Sequence, residues 1–301
     1  MDSPRITPRI TLDQWRALQA VVDAGGFAQA AARLHRTQSA VSHAVARLQT
    51  QLGLQILRIE GRKAVLTEAG VAILGRARAL LRTAAELEQF TRNLERGWEA
   101  EIRLVADAAL PSTMLMEALR RFQPLSQGTR VQLQQVVMSG ADEALEEGSA
   151  ELVIGSRLPP QALGDLLLEI DFVAVAHPEH ALQQLGRSLT QADLVDQLQV
   201  VIRDSGVRSP RDAGWLAAER WTVTSIDNAI AAVQAGLGFS WLPRPQVQTL
   251  LDQGGLRLLP LEEGQVQRGQ LYLMYGRPQQ VGPATRLLAE QFRSVAAECA
   301  P

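Results

Sequence analysis

The chain has 301 residues, of which 46% are hydrophobic, and a formal net charge of −2 at pH 7. This composition excludes a disordered or collagen-like chain and predicts globular domains with apolar cores. The single cysteine, Cys299, excludes a disulfide framework within one chain. Because the sequence has no 18-residue apolar run, we expect neither a signal peptide nor a membrane span, and we therefore expect a cytoplasmic protein.

Charge is divided unequally along the chain. Residues 1–98 hold 14 Arg and Lys against 8 Asp and Glu, whereas residues 99–301 hold 16 against 24. A basic segment gains affinity for a phosphate backbone by releasing condensed counterions. The balance therefore favours a nucleic-acid partner for the first third, although basic residues also serve simply to keep a segment soluble.

Three short helices are predicted near the amino terminus. Apolar residues recur at helical spacing over 12–24 and again over 28–34, with a Gly25-Gly26 turn between the two segments. A third helix is predicted after Thr37, whose hydroxyl can cap the free N–H groups of the first turn. One stripe of this third helix is apolar and consists of Val41, Ala44, Val45 and Leu48.

The opposite face of the third helix carries short polar side chains, Ser39, Ser42 and His43, flanked by Gln38 and Arg47. An ordinary solvated face would favour long Glu and Lys side chains. Two short packed helices with such a face form the arrangement that lays a recognition helix in the DNA major groove. The alternative is an αα-hairpin of an ordinary helical core.

Two short strands are predicted next, at 56–59 and 64–66, around a Glu60-Gly61 turn that bears two cations. A cationic hairpin beside a recognition helix is a wing. The stretch GGFAQAAARLHRTQSAVSHAVARLQTQLGLQILRIEGRKAVLTEAG resembles the amino-terminal signature of LysR-type transcriptional regulators. We therefore expect a winged helix-turn-helix domain over residues 1–66 and DNA contacts from Thr37, Gln38, Ser39, Ser42, His43, Arg47, Arg62 and Lys63.

The resemblance departs from the family pattern at two of these positions. Ser39 stands where proline is common, which frees a backbone N–H and adds a hydroxyl. His43 replaces a frequent arginine, so one strong guanine-reading side chain is absent.

A long helix is predicted over 67–98, with Thr67 as its cap. Residues at alternating spacings of three and four form a coiled-coil seam, namely Ala77, Leu80, Ala84, Leu87, Thr91, Leu94 and Trp98. The alternative is that this stripe packs on its own domain. The resemblance implies that this is a linker helix through which two copies form a homodimer, and that the dimer binds a pseudo-palindromic site on double-stranded DNA. It also implies assembly to a homotetramer and RNA polymerase as a further partner.

Residues 99–301 alternate strand-like and helical runs, which predicts parallel sheets in either one domain or two. SIDNAIAAVQAGLGFSWLP matches a carboxyl-terminal landmark of the family. The resemblance implies a two-lobed α/β effector-binding domain like that of periplasmic binding proteins. We expect lobe I at about 99–167 and 269–301 and lobe II at about 168–268.

Open parallel sheets bind ligands at the carboxyl ends of their strands. This rule selects an effector cleft between the lobes lined by Asp107, Ala108, Ser112, Thr113, Ser139, Ser156, Arg203, Ser205 and Thr224. Hydroxyl and arginine groups favour a small anionic or polar ligand, such as a carboxylate paired with Arg203. Asp107 would instead neutralise an arginine in the empty state, or favour a ligand with hydroxyl or amine groups.

The sequence has no GxSxG, GxxxxGK[ST] or HExxH motif. We therefore expect that the chain is not an enzyme and that it binds no cofactor and no metal. His177 and His180 have a spacing that could bind a metal, but the proline between them favours an exposed turn. The predicted function is a sequence-specific DNA-binding transcriptional regulator controlled by a small-molecule inducer. The alternative is a constitutive architectural DNA-binding protein whose carboxyl-terminal domain only oligomerises.

Overall fold

The computed structural model describes residues 8–60, 63–95, 97–160, 162–208, 210–211 and 219–299. The chain divides into two compact units, Met1–Arg92 and Asn93–Pro301. Each unit has its own buried apolar core. In the part of the chain that is described, no helix is both long and apolar enough to cross a membrane.

The first unit begins with the three predicted helices, α1 (Leu12–Ala24), α2 (Phe27–Leu34) and α3 (Gln38–Leu52). Thr11 and Gln14 form a capping box at the start of α1, and the Thr37 hydroxyl accepts a 3.3 Å hydrogen bond from the Ala40 N–H at the start of α3. The predicted apolar stripes meet in one core that includes Leu18, Val21, Ala30, Val41, Val45 and Leu48.

A hairpin follows, with antiparallel strands β1 (Leu57–Glu60) and β2 (Lys63–Leu66). The Gln49 side chain of α3 holds the start of this hairpin, because its Oε1 accepts hydrogen bonds from the backbone N–H groups of Ile56 (2.7 Å) and Leu57 (3.0 Å). The hairpin is therefore bonded directly to α3.

The long helix α4 (Glu68–Glu95) begins where the sequence predicts, and the Thr67 hydroxyl accepts a 3.0 Å hydrogen bond from the Gly70 N–H. It ends at Glu95, so the prediction that Trp98 belongs to its apolar seam is wrong. The Trp98 indole N–H instead donates to the Ser126 carbonyl (2.9 Å) and to the Thr129 hydroxyl (2.8 Å), and the ring packs on the core of the second unit. An indole with a buried hydrogen bond and an apolar contact gains more there than on an exposed helix.

The second unit is built on a nine-stranded sheet. Its strands are β3 (Glu101–Asp107), β4 (Arg130–Val136), β5 (Leu152–Gly155), β6 (Gly164–Ala176), β7 (Gln199–Ile202), β8 (Arg220–Val223), β9 (Phe239–Pro243), β10 (Arg257–Leu258) and β11 (Val266–Tyr275). Its helices are α5 (Ser112–Phe122), α6 (Ser139–Glu147), α7 (Gln191–Val195), α8 (Ile226–Gln234), α9 (Arg244–Asp252) and α10 (Pro283–Cys299). The strand order is β4-β3-β5-β11-β6-β9-β7-β8, and β10 pairs with β6.

The two longest strands, β6 and β11, connect two lobes. Strand β11 pairs with β5 and β6, and β6 pairs with β9. One core, with Ile102, Phe122 and Phe292, lies around β3, α5 and α10, which we call lobe I together with β4, β5 and α6. Another core, with Val175 and Leu242, lies among β7, β9, α8 and α9, which we call lobe II together with β8, β10 and α7.

The expectation of parallel pairing holds only within each lobe. Strand β3 is parallel to β4 and β5, and β7 is parallel to β8 and β9. Strands β6 and β11 are antiparallel to their neighbours. Parallel neighbours need a crossover connection, which the helices within each lobe provide. Strands β6 and β11 instead pair with each other in opposite directions, and both run through the two lobes.

We predict that Gln49→Met weakens the attachment of the hairpin to α3. The substitution leaves two backbone donors without their acceptor beside the fully buried Ile56, which costs about 1–3 kcal/mol. Hydrogen exchange measured by mass spectrometry on the full chain should show faster exchange in peptides that cover residues 54–60. Gln55→Met changes an exposed glutamine nearby and serves as the control; equal exchange in the two variants would contradict the prediction.

Candidate functional site

The polar face of α3 lies on the surface of the first unit. Gln38, Ser39, His43 and Arg47 are exposed, and Ser42 is half-buried. The hydroxyl groups of Thr37 and Ser39 lie 3.1 Å apart and share a hydrogen bond. The predicted DNA-contacting residues of α3 are therefore available to a partner, and the opposite stripe holds the helix to the core.

A groove of about 640 Å³ runs beside this face. Three arginines line it, Arg9, Arg36 and Arg47, together with Ser39 and His43. Guanidinium groups bind phosphate oxygens in bidentate geometry, so the groove adds phosphate-binding capacity to a helix that presents hydrogen-bonding groups.

Sequence reasoning missed two of these arginines. Arg9 is held by its backbone, because its carbonyl accepts a 3.1 Å hydrogen bond from Gln51 Nε2, and Gln51 Oε1 accepts one of 2.9 Å from the buried Gln14. Arg36 makes a 2.6 Å ion pair with Asp13 of α1. The position of Arg36 directly before the helix cap was the signal that could have identified it.

The structure describes only part of the predicted wing. Arg62 lies outside the described residues, as does Gly61 of the predicted turn. Lys63 opens β2 and its Cα is paired with that of Glu60 across the hairpin. DNA contact by Arg62 and Lys63 stays a prediction.

A cavity of about 320 Å³ lies between the two lobes of the second unit. Its wall is mainly apolar and includes Ile170, Phe172, Val200, Ile202, Ile226 and Trp241. The polar residues along it are Asp107, Ser156, Gln199, Arg211, Ser240, Gln267, Arg268 and Gln270. Three residues predicted from sequence, Asp107, Ala108 and Ser156, are among the lining residues.

Asp107 is the buried acid of this cavity, with 5% of its surface exposed. Its Oδ1 accepts a 2.9 Å hydrogen bond from the Ala109 N–H, while Oδ2 has no hydrogen-bond partner among the described residues. Burial raises the pKa of Asp107 to about 6, against the opposing effect of the Ala109 and Met138 N–H groups and of Arg211. Asp107 is therefore a buried, ionisable acceptor in the wall of the cavity, and one of its two oxygens has no hydrogen-bond partner among the described residues.

Two other predicted residues join the lobes to each other. Asp204 of lobe II accepts hydrogen bonds from the Ser139 N–H (3.1 Å) and hydroxyl (2.8 Å) at the start of α6. The Ser205 hydroxyl lies 2.9 Å from the Val137 N–H and 3.1 Å from the Val137 carbonyl. Glu143 of α6 accepts from the backbone N–H of Val207 at 2.6 Å. We call this contact between 204–208 and α6 the interlobe clasp.

The remaining predicted effector residues do not line the cavity. Arg203 is exposed and lines an adjacent cleft of about 390 Å³, together with Arg220 and Thr222. This cleft shares Val201, Ile202 and Arg211 with the cavity. Ser112, Thr113 and Thr224 are exposed near the starts of α5 and α8. The strand-end rule selected these positions, whereas much of the cavity wall comes from residues within the antiparallel strands β6, β9 and β11, which that rule does not identify.

Two family models match the chain. The model described as "LysR substrate binding domain" matches residues 95–297, and the model described as "Bacterial regulatory helix-turn-helix protein, lysR family" matches residues 12–71. The first match covers the cavity and both lobes, and the second covers α1 to the start of α4.

Relatives and a solved structure agree with these matches. The chain is 29% identical to the uncharacterized HTH-type transcriptional regulator YeeY of Escherichia coli K12, over 81% of each chain. It is 28% identical to the probable HTH-type transcriptional regulator YhaJ of the same organism, over 84% of this chain and 87% of YhaJ. Full-length LysG of Corynebacterium glutamicum with bound effector Arg has a similar fold, with a TM-score of 0.54 at 20% identity over 96% of this chain and 99% of LysG.

We predict a pH-dependent difference in stability between the wild type and Asp107→Asn. Because the pKa of Asp107 is raised from 3.8 to about 6, the folded chain binds this proton more tightly than the unfolded chain. The stabilisation is complete below about pH 4 and is lost as the pH rises through 6, a change of about 3 kcal/mol.

Thermal unfolding at pH 4.5, 5.5, 6.5 and 7.5 measures this difference. The wild type should become less stable relative to Asp107→Asn as the pH rises, and Asp171→Asn, at a more exposed position of β6, should follow the wild type. A constant difference between the wild type and Asp107→Asn across this range would disprove the assignment.

Proposed function

This chain belongs to the family of LysR-type transcriptional regulators, and from that premise we propose that α3 enters the major groove of a promoter site under the control of a small molecule held between lobes I and II. The observation that carries the proposal is the exposed polar face of α3 beside a groove with three arginines. Short hydroxyl, amide and imidazole groups can approach base edges, and the arginines bind the flanking phosphates.

The proposed complex with DNA is symmetric. Leu80, Leu87 and Leu94 on one side of α4 are 47%, 65% and 44% exposed, and a stripe of this kind on a long helix favours a second copy of the chain. Two copies related by a two-fold axis fit a pseudo-palindromic site with half-sites about one helical turn or a multiple apart. We extend the proposal to a dimer of dimers that contacts RNA polymerase, which places the protein in the cytoplasm with the genome.

The proposed control is by ligand binding and involves no catalysis. The cavity between the lobes supports an effector more than a domain that only oligomerises, because a purely structural domain has no need of an apolar cavity with a buried acceptor that lacks a hydrogen-bond partner among the described residues. LysG, whose structure contains a bound effector Arg, has the same fold and supports the same mode of control. A ligand shifts DNA affinity by the difference between its own affinities for the two states of the protein.

We predict that Ser39→Glu strongly weakens specific DNA binding without unfolding the chain. A carboxylate at the second residue of α3 interacts favourably with the helix dipole but repels the DNA phosphates. The measurement is fluorescence anisotropy with a duplex selected by the wild-type protein from a random-sequence library. Affinity should fall by about a hundredfold.

The matched control for this experiment is Gln132→Glu, which adds the same charge at an exposed position of β4 in the second unit. It should bind the selected duplex like the wild type. If Ser39→Glu binds equally well, α3 is not the recognition helix.

We also predict that Leu87→Glu disrupts the dimer. A buried carboxylate in the middle of an apolar helix pair is costly unless it is paired, so the two helices should separate. Light scattering during size-exclusion chromatography measures the mass in solution. The control is Ala85→Glu, which lies two residues before Leu87 and on another side of α4, and it should leave the mass unchanged. An unchanged mass for Leu87→Glu would exclude this stripe as the interface.

A further inference from the structure

The cavity between the lobes is lined by apolar side chains and by one buried acid. Ile170, Phe172 and Trp241 belong to the apolar lining, and Asp107 is a buried charged residue of the wall. A pocket of this size holds a compact ligand and fixes its orientation through a few polar groups. The chemistry of Asp107 and its neighbours therefore decides which ligand head group the cavity accepts.

The charged groups that act on Asp107, namely Arg211 and Asp204, are already bonded to other groups. Arg211 also lines the cavity, but its guanidinium is already paired with Asp142. Its backbone N–H donates to Asp204, which also accepts from Ser139 and Gly206. Asp204 accepts hydrogen bonds at both oxygens, and Asp142 pairs with Arg211 through one oxygen. Asp107 Oδ2 and Asp142 Oδ1 have no hydrogen-bond partner among the described residues, and of these two acids it is Asp107 that lines the cavity.

The other cations near the cavity are poorly placed to bind a ligand anion. The Arg268 side chain is 80% exposed and lies 3.7 Å from Asp171, and Arg203 is exposed and lines the adjacent cleft. A ligand carboxylate in the cavity would therefore meet the Asp107 carboxylate, with like charges in a buried environment. This arrangement disfavours the anionic ligand that the arginines suggested from sequence.

We propose, resting on the proposed function, that the effector is a small amine whose protonated amino group donates a hydrogen bond to Asp107 Oδ2 and whose apolar body lies against Ile170, Phe172 and Trp241. An ammonium group supplies three donors and a compensating positive charge. It satisfies a buried acceptor that is otherwise costly to leave unpaired. A neutral alcohol supplies the hydrogen bond without the charge, and a carboxylate supplies neither.

Three probes of matched shape test this ligand class: 2-phenylethylamine, 2-phenylethanol and phenylacetate. Isothermal titration calorimetry on the full chain measures the affinity of each for the wild type. We expect the amine to bind about tenfold tighter than the alcohol and phenylacetate to bind weakest, because a charge-assisted hydrogen bond is worth more than a neutral one.

Asp107→Asn keeps the shape of the side chain and removes its charge. The variant should therefore bind the amine and the alcohol with about equal affinity. Asp171→Asn makes the same substitution at a more exposed position of β6 that does not line the cavity, and it should keep the wild-type preference. Circular dichroism and binding to the selected duplex establish that each variant is folded. The comparison of probes on the wild type does not depend on either variant.

The proposal is overturned if the alcohol or phenylacetate binds the wild type as tightly as the amine, if no probe binds, or if Asp107→Asn keeps the preference for the amine. Each of these results leaves the proposed function standing when the protein still binds the selected duplex. Failure of the proposed function is a different result, in which the duplex is not bound, or the amine binds and leaves duplex affinity unchanged.

Discussion

The constraint on which the DNA-binding face depends is the helical period of α3. Val41, Val45 and Leu48 are each no more than 1% exposed against α1 and α2, which fixes the rotation of the helix about its own axis. Residues on the other side, including Ser39 and His43, must then point to solvent. The hydrogen bonds from Ile56 and Leu57 to Gln49 attach the hairpin to the same helix, so its packing also positions the start of the wing.

Much of this first unit could be predicted because its determinants are local. A cap such as Thr37 and an apolar stripe act over a few residues, and the observed helices match the predicted ones to within one residue at their starts. Trp98 was misassigned because its spacing fits the seam of α4, while its true partners, Ser126 and Thr129, are about thirty residues away in sequence. Periodicity contains no information about such distant contacts.

The second unit was harder to predict for the same reason. Each strand was recognisable, but β6 and β11 pair with segments far along the chain, and alternation of strands and helices does not record direction. The strand-end rule found Asp107, Ala108 and Ser156 because β3 and β5 belong to parallel pairs. It missed Phe172, Trp241 and Arg268, which line the cavity from within antiparallel strands.

Two residues that line the cavity are bonded or adjacent to the interlobe clasp, which gives ligand binding a direct physical route to the contact between the lobes. Met138 lines the cavity and is followed by Ser139, whose N–H and hydroxyl bind Asp204 across the lobes. Arg211 lines the cavity as well, and it binds Asp204 through its backbone and Asp142 of α6 through its side chain.

The contacts of this clasp differ in how much they stabilise the joined lobes. Arg208 and Glu147 are both largely exposed, and a pair of that kind contributes little. Ser139 and Asp204 are 3% and 8% exposed, so separating the lobes would leave a carboxylate and the start of α6 without their partners until water replaced them. A molecule that contacts Met138 and Arg211 therefore acts on the strongest part of the clasp, and its effect on the lobes equals the difference between its affinities for the joined and separated states.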